Sequence, residues 1–453
     1  MNFPVDLLSA LAIALLFAAA GELVLFRPSR SAPDLFESFA VGSGMAAALL
    51  FPLSLAAGKN ALALTFVLLL MGVVASIALR FRFWRLSRSE AVARIDCRDP
   101  LSIIFLLLAA GATICFALLN WRMAYQWDGF QIWATLAQML FVEGRVAPER
   151  FPEALYIGAK IRYPQLLPLY EALVAFPHGT FDFDRLKPLF LVFFSGMLVM
   201  TYTAVRRIGS SRLALAATAL VGLLPALSTG TAIGGYADMP LAFFVVSLTA
   251  AVVSERSTAS RTSAVPWLIG ALCFVKDEGL ILAAIAVAMT GLYWLMTRKS
   301  HKLLRRIADN WPAILISGSM ILTRLAYLRW IDYQDNNYLR VSRETIPVAM
   351  ARVPEVLSLG LQHLFEPRMW GLFWPAFFVG FIAVLRQGGH RERMLAISVF
   401  LAICVFHVIF LFTNWEVELH VQQALPRLLA QIAPAAAVVM AMAFTGAMKR
   451  LAK

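Results

Sequence analysis

The chain of 453 residues is 60% hydrophobic and only 15% charged, with a mean hydropathy of +0.74. A soluble domain cannot hide that much apolar surface, whereas a bilayer can, at about 20 mostly apolar residues per span. The apolar runs are long and continuous, not alternating, which excludes a β-barrel and predicts an all-α, polytopic helical membrane protein. The formal net charge of +13 reports membrane topology before any nucleic-acid partner, and none is expected. Cys97, Cys115, Cys273 and Cys404 are scattered without metal-ligand spacing and predict neither a disulfide nor a metal site.

In chain order, apolar runs predict about thirteen spans, near 5–26, 35–57, 61–80, 101–120, 186–207, 212–231, 239–254, 264–276, 279–297, 310–330, 370–386, 394–413 and 424–447. The first has no basic leader and no cleavage site, so it is read as a retained span. One set of connecting loops carries the basic residues: Arg27 and Arg30, the stretch 80–98, Arg206, Arg207 and Arg212, Arg256 and Arg261, 298–306, 386–393 and 449–453. The opposite set holds Asp128, Glu143, Glu149, Glu153, Asp238, Asp277, Glu278, Asp332, Asp335, Glu416 and Glu418. By the positive-inside rule the first set is cytoplasmic, which puts the N-terminus outside and the C-terminus inside a plasma (bacterial inner) membrane. Residues 163–178 are apolar but would invert that alternation if they crossed, so they are read as a helix on the outer membrane surface. The chain reads as one integral membrane domain, with three leading spans in 1–99 and long outer loops at 121–185 and 331–369. The second loop carries Ile346, Met350, Val353, Val356, Leu357 and Leu361 at helical spacing.

The outer side collects five polar motifs. Asp128 lies in Tyr125-Gln126-Trp127-Asp128-Gly129-Phe130, just beyond a span and among aromatics. It reads either as a solvated residue in an aromatic belt of Trp121, Tyr125, Trp127 and Trp133 or as a reacting carboxylate. Arg162-Tyr163-Pro164-Gln165 opens the surface helix, where Arg162 either snorkels or binds a lipid phosphate. Gly234-Gly235-Tyr236-Ala237-Asp238-Met239-Pro240 places a second acid before a span, as an N-cap or as a functional group. Lys276-Asp277-Glu278-Gly279 interrupts a long apolar stretch, either as a hairpin turning at Gly279 or as a costly, functional charge cluster. His420 and Arg427 come last; an Arg just inside a span needs an anionic partner or a wet cavity. Cations suit a phosphate at the membrane edge, and a carboxylate can take a proton from an incoming hydroxyl. Transfer of a sugar from a lipid phosphate needs that combination.

In this order the motifs resemble the GT-C superfamily of polytopic membrane glycosyltransferases. The pattern is nearest the bacterial relatives of the dolichyl-phosphate-mannose protein mannosyltransferases and the aminoarabinose lipid A transferases. The resemblance covers about residues 100–435. It implies a GT-C-like fold, a polyprenyl-phosphate-linked sugar donor, and a lipid, glycan or protein acceptor on the periplasmic face. It makes Asp128 the catalytic base, with Asp238 as a second catalytic acid that orients the acceptor or helps ligate a divalent ion. Lys276, Arg427 and Arg162 become the donor-phosphate ligands, and Trp127, Tyr163, Glu278 and His420 substrate contacts. The chain departs from the pattern in its three leading spans, in Gln165 where a second proline is common, and in Asp277 where asparagine is usual. Two other functions fit the composition. One is a polymerase or ligase using a lipid-diphosphate donor; the other is a non-enzymatic transporter, which internal repeats and midplane charges would mark.

Overall fold

The structure is a computed structural model and describes residues 3–25, 35–83, 99–146, 160–254, 263–296, 303–331 and 337–451. Arg27, Arg30, Glu149, Glu153, Arg256, Arg261, Asp332 and Asp335, which carry part of the charge reading, lie outside the described residues, as does Cys97.

The fold is all-helical. The helices are α1 Phe3–Leu25, α2 Leu35–Ala57, α3 Ala61–Phe83, α4 Pro100–Arg122, α5 Thr135–Glu143, α6 Leu166–Ala175, α7 Phe183–Leu186, α8 Pro188–Arg206, α9 Ser211–Gly222 and α10 Pro225–Ser228. They continue with α11 Asp238–Ser254, α12 Val265–Val275, α13 Asp277–Met296, α14 Leu303–Trp330, α15 Thr345–Leu364, α16 Pro367–Trp370, α17 Phe373–Gln387, α18 His390–Leu411 and α19 Val417–Leu451. Among the described residues the one β-feature is an isolated antiparallel bridge between Tyr338 and Thr413. Apart from 212–231, each predicted span falls mainly on one helix. Among the described residues six helical stretches, not thirteen, are long and apolar enough to cross a membrane by length and composition: Pro4–Leu25, Leu35–Leu79 (which holds α2 and α3), Pro100–Arg122, Phe183–Arg206, His390–Leu411 and Val417–Leu451.

Lipid-facing surface is visible on α3 and α4, where Val67, Met71, Val74, Leu107, Ile114 and Leu118 are exposed. Asp99 caps α4, accepting the Ser102 N–H at 3.2 Å and Arg212 Nε at 2.6 Å. The Arg212 guanidinium, together with Ser102, holds the Asp99 carboxyl below its ordinary range. The interior is aromatic at its centre: Phe17, Phe39, Tyr170, Phe193 and Phe243 contact one another edge-on or tilted, at centroid distances of 5.4–6.3 Å. Those five rings come from α1, α2, α6, α8 and α11, so the first two of the three leading helices share one core with the rest.

Four elements differ from the sequence expectation. The span predicted over 212–231 ends at Gly222, because Pro225 has no N–H and starts the separate turn of α10. Helix α6 does not lie open on a surface: every residue from Leu166 to Ala175 is buried, and α1, α2, α5, α7 and α12 pack around it. In α15 two faces are apolar, with Ala349, Val356, Gly360 and Leu364 packed inward and Ile346, Met350, Leu357 and Leu361 exposed. Gly279 is not the hairpin turn but a close-approach residue inside α13, where a Cβ would come 1.9 Å from the Leu272 carbonyl oxygen of α12.

Helices α1 and α2 approach equally tightly. A Cβ on Gly21 would meet the Ser38 carbonyl oxygen at 1.9 Å, and one on Gly42 the Phe17 carbonyl oxygen at 1.8 Å. Gly42→Val is therefore expected to destabilise the protein by about 1–3 kcal/mol, read as a lower unfolding midpoint in detergent. Gly111→Ala on α4, where the new methyl meets nothing within 4 Å, should be neutral or slightly stabilising. Equal midpoints for both variants would contradict the close helix contact.

Candidate active site

The motifs that lie far apart in the sequence meet at one point. Helix α4 ends at Arg122, and the chain turns through Tyr125 to Asp128, which sits immediately before a six-residue π-helical turn, Gly129–Ala134. Such turns are rare and concentrate at functional sites. The Asp128 segment is held to the segment before α11 by backbone contact. The Gln126 N–H donates to the Gly234 carbonyl at 2.9 Å, and the Asp128 N–H donates to the Tyr236 hydroxyl at 3.3 Å. Gly129 lies so close to Gly234 that a Cβ would come 2.1 Å from its carbonyl oxygen. Gly235 takes φ +85°, a left-handed conformation that favours glycine, and its open face holds the Tyr125 ring.

Asp238 is 4% exposed. Its side chain does not cap α11, as one sequence reading had it, but accepts three bonds: Lys276 Nζ at 2.8 Å and Gln431 Nε2 at 2.6 Å on Oδ1, and Arg427 Nε at 3.0 Å on Oδ2. Lys276 stands in an extended break between α12 and α13, which aims its side chain inward, and it also pairs with Glu278 Oε1 at 2.9 Å. Burial works against the ammonium, and its ion pairs with Asp238 and Glu278 offset that cost.

Arg427 joins the two acids. Its Nε donates to Asp238 while Nη1 donates to Asp128 Oδ2 at 3.0 Å, and its guanidinium lies 4.3 Å from the Tyr236 ring centroid. Arg427 is ten residues into α19, about 15 Å from the helix start at the usual rise per residue, so the site is set down into the helical bundle. Burial raises the Tyr236 hydroxyl above its usual value. Among the described residues no donor reaches Asp128 Oδ1, and the Asp128 side chain is 29% exposed. The arrangement is a pair of cations shared among three carboxylates, with Asp128 presenting an open edge.

A second cluster adjoins the first through Asp277. Arg324 of α14 is 2% exposed; its Nη2 donates to Asp277 Oδ1 at 2.8 Å and also to the Arg162 carbonyl oxygen. Arg162 lies over the Tyr163 ring at 4.9 Å and donates to its hydroxyl at 3.2 Å. Tyr327 donates to the Ile161 carbonyl at 2.6 Å. Arg162 and Tyr163 thus sit beside the principal cluster, not within it.

The remaining predicted contacts separate. Trp127 is 71% exposed, whereas Trp133 is 1% exposed and packed edge-on against Tyr163, so it presents no open face for a sugar. His420 binds Thr413 Oγ1 at 2.6 Å and is enclosed by Tyr338, Phe410 and Trp415, two turns along α19 from Arg427. For a divalent ion, no group of three or more His, Cys, Asp or Glu side chains among the described residues is arranged as a ligand set. Asp128 and Asp238 both face Arg427, so the acids as placed do not fit a metal. Sequence reasoning did not select Arg324, although an arginine within the predicted span 310–330 is itself a signal of function or of a buried partner.

No protein-family model matches the chain, and no curated protein matches it. The fold is similar to the crystal structure of ArnT from Cupriavidus metallidurans bound to undecaprenyl phosphate, at 14% identity over 77% of this chain and 62% of that one, with a TM-score of 0.49. It is similar to ArnT of the same organism in the apo state, at 15% identity over 75% of this chain and 59% of that one, again with a TM-score of 0.49. The chain thus spans about three fifths of the length of the ArnT chains it matches.

Removing Lys276 leaves Asp238 a buried carboxylate short of a donor. Lys276→Met is expected to cost about 3–5 kcal/mol in unfolding free energy. The double variant Lys276→Met, Asp238→Leu should lose less than the sum of the two single changes. Strict additivity in detergent unfolding would show that the two groups are not coupled.

Proposed function

We propose that this chain is a membrane glycosyltransferase of GT-C type. It moves a sugar from a polyprenyl-phosphate-linked donor to an acceptor hydroxyl on the periplasmic face of a bacterial inner membrane. The observation that carries the proposal is the convergence of Asp128, Asp238, Lys276 and Arg427, from four separate segments, into one ion cluster in which Asp128 keeps an open edge. A structural ion pair needs no exposed edge; a site that must accept a hydroxyl proton beside a phosphate needs both a free carboxylate oxygen and nearby cations.

In this reading Asp128 Oδ1 takes the proton of the acceptor hydroxyl. The acceptor oxygen bonds to the anomeric carbon as the bond from that carbon to the phosphate oxygen breaks, and the configuration inverts. The charge left on the departing lipid phosphate is met by Lys276 and Arg427, and Asp238 with Gln431 holds these two cations in place. Both cations are already bonded to carboxylates, so the donor phosphate has to share them. As Arg427 turns its Nη1 toward the phosphate, Asp128 is released from its ion pair, which ties availability of the base to the presence of the donor. No step is routed through a metal ion.

The test uses the purified, reconstituted protein with sugar-loaded polyprenyl monophosphate and diphosphate donors. Transfer is expected from the monophosphate, and Asp128→Asn should lower it by roughly 10²–10⁴-fold with the unfolding midpoint retained. Full transfer by Asp128→Asn would overturn the base assignment. Transfer from the diphosphate alone would indicate a polymerase or ligase, and lipid movement without covalent product would indicate a transporter.

A further inference from the structure

A carboxyl that the proposed chemistry does not use lies behind the Asp128 segment. Glu171 is on α6, where the sequence Leu166-Leu167-Pro168-Leu169-Tyr170-Glu171-Ala172-Leu173 places one acid in an otherwise apolar run. It is 0% exposed. Its Oε1 accepts the Tyr125 hydroxyl at 2.9 Å, and its Oε2 is buried with no partner among the described residues. Burying a carboxyl with one oxygen unmatched costs free energy that an apolar residue would not. Burial pushes the Glu171 carboxyl up to about 8, so at neutral pH it is a neutral acid and glutamine is its isostere.

Tyr125, its partner, occupies a particular place. It precedes Asp128 by three residues. Its ring covers Gly235, where a Cβ would come 2.2 Å from the ring, and Gly235 precedes Asp238 by three residues. The ring also packs edge-on against Phe190 of α8 at 6.1 Å. Helix α6 is fixed from its other side by the neighbouring residue, since the Tyr170 hydroxyl donates to the Ala10 carbonyl of α1 at 2.7 Å. A fully buried helix therefore grips a ring that touches both acid-bearing segments.

We propose that Glu171 is a positioning residue: through the Tyr125 hydroxyl it fixes the separation and direction of Asp128 and Asp238. This deepens the glycosyl-transfer reading and rests on it for its kinetic consequences. Loss of the tether lets Tyr125 turn about its side-chain bonds and slackens both segments, leaving the carboxylates and Arg427 present but less well aimed. Misplacement by about 1 Å at a reacting centre is enough to cost about 10²-fold in rate.

Three variants in the reconstituted full chain test this, with transfer kinetics and hydrogen exchange measured on each. Glu171→Leu and Tyr125→Phe each break the tether, whereas Glu171→Gln keeps an acceptor for the Tyr125 hydroxyl. Breaking the tether should lower kcat about 10- to 100-fold with the donor KM within about threefold, while Glu171→Gln stays within about threefold of the parent on both. Amide exchange over residues 124–130 and 233–237 should rise in Glu171→Leu and Tyr125→Phe but not in Glu171→Gln. Parental exchange in the tether-breaking variants, or equal loss in Glu171→Gln and Glu171→Leu, would overturn the proposal. So would a loss carried wholly by KM. If the parent protein shows no transfer from any donor, the glycosyl-transfer reading fails, yet the exchange comparison still decides whether the tether exists.

Discussion

The two bonds from the Arg427 guanidinium, one to Asp128 and one to Asp238, are the constraint on which the rest of the site depends. Each acid alone has an ordinary role, one at the end of a loop and one at the start of a helix. Held on one guanidinium they become a single charged unit, and Lys276, Glu278 and Gln431 complete it. Ions set into a helical bundle survive only when each is matched by a partner, and Asp238 has three. Asp128 Oδ1 accepts from no donor among the described residues, and a site able to act on something else needs such an open oxygen.

The fold supplies the precision for this cluster through glycine and through backbone contact. Gly129 and Gly234 let two loop segments touch, Gly235 makes room for Tyr125, and Gly279 lets α12 and α13 close on the Lys276 break. These contacts leave no space for a Cβ, so the positions of the acids are determined by main chain more than by flexible side chains. The aromatic centre of Phe17, Phe39, Tyr170, Phe193 and Phe243 lies behind them and ties the leading helices to the same body.

Much of this was legible in the sequence. Hydropathy marks α2 at Leu35–Ala57, the bounds read from the apolar run alone. Asp128, Asp238, Lys276 and Arg427 stand out because charged residues beside or inside apolar runs are costly. Three kinds of fact were not legible. One is pairing at long range: Arg324 finds Asp277 across 47 residues and Tyr125 finds Glu171 across 46, and helical periodicity says nothing about which faces meet. Another is burial of an interfacial residue: Trp133 reads like Trp127 in the sequence but is packed against Tyr163, while Trp127 stays open. The last is the local break at Pro225, where hydropathy runs on and the backbone cannot. Arg324 and Glu171 did carry a signal, as lone ions in apolar helices; nothing local said what they would touch.

The central claim is that this cluster performs a covalent transfer of sugar. Mass spectrometry of envelope glycolipids, glycans and glycoproteins from cells with and without the protein tests it most directly. The account predicts an acceptor lighter by one sugar unit when the protein is absent, restored by the parent chain and not by Asp128→Asn. Identical masses in all three samples, with only the distribution of a lipid-linked sugar between membrane faces altered, would contradict it.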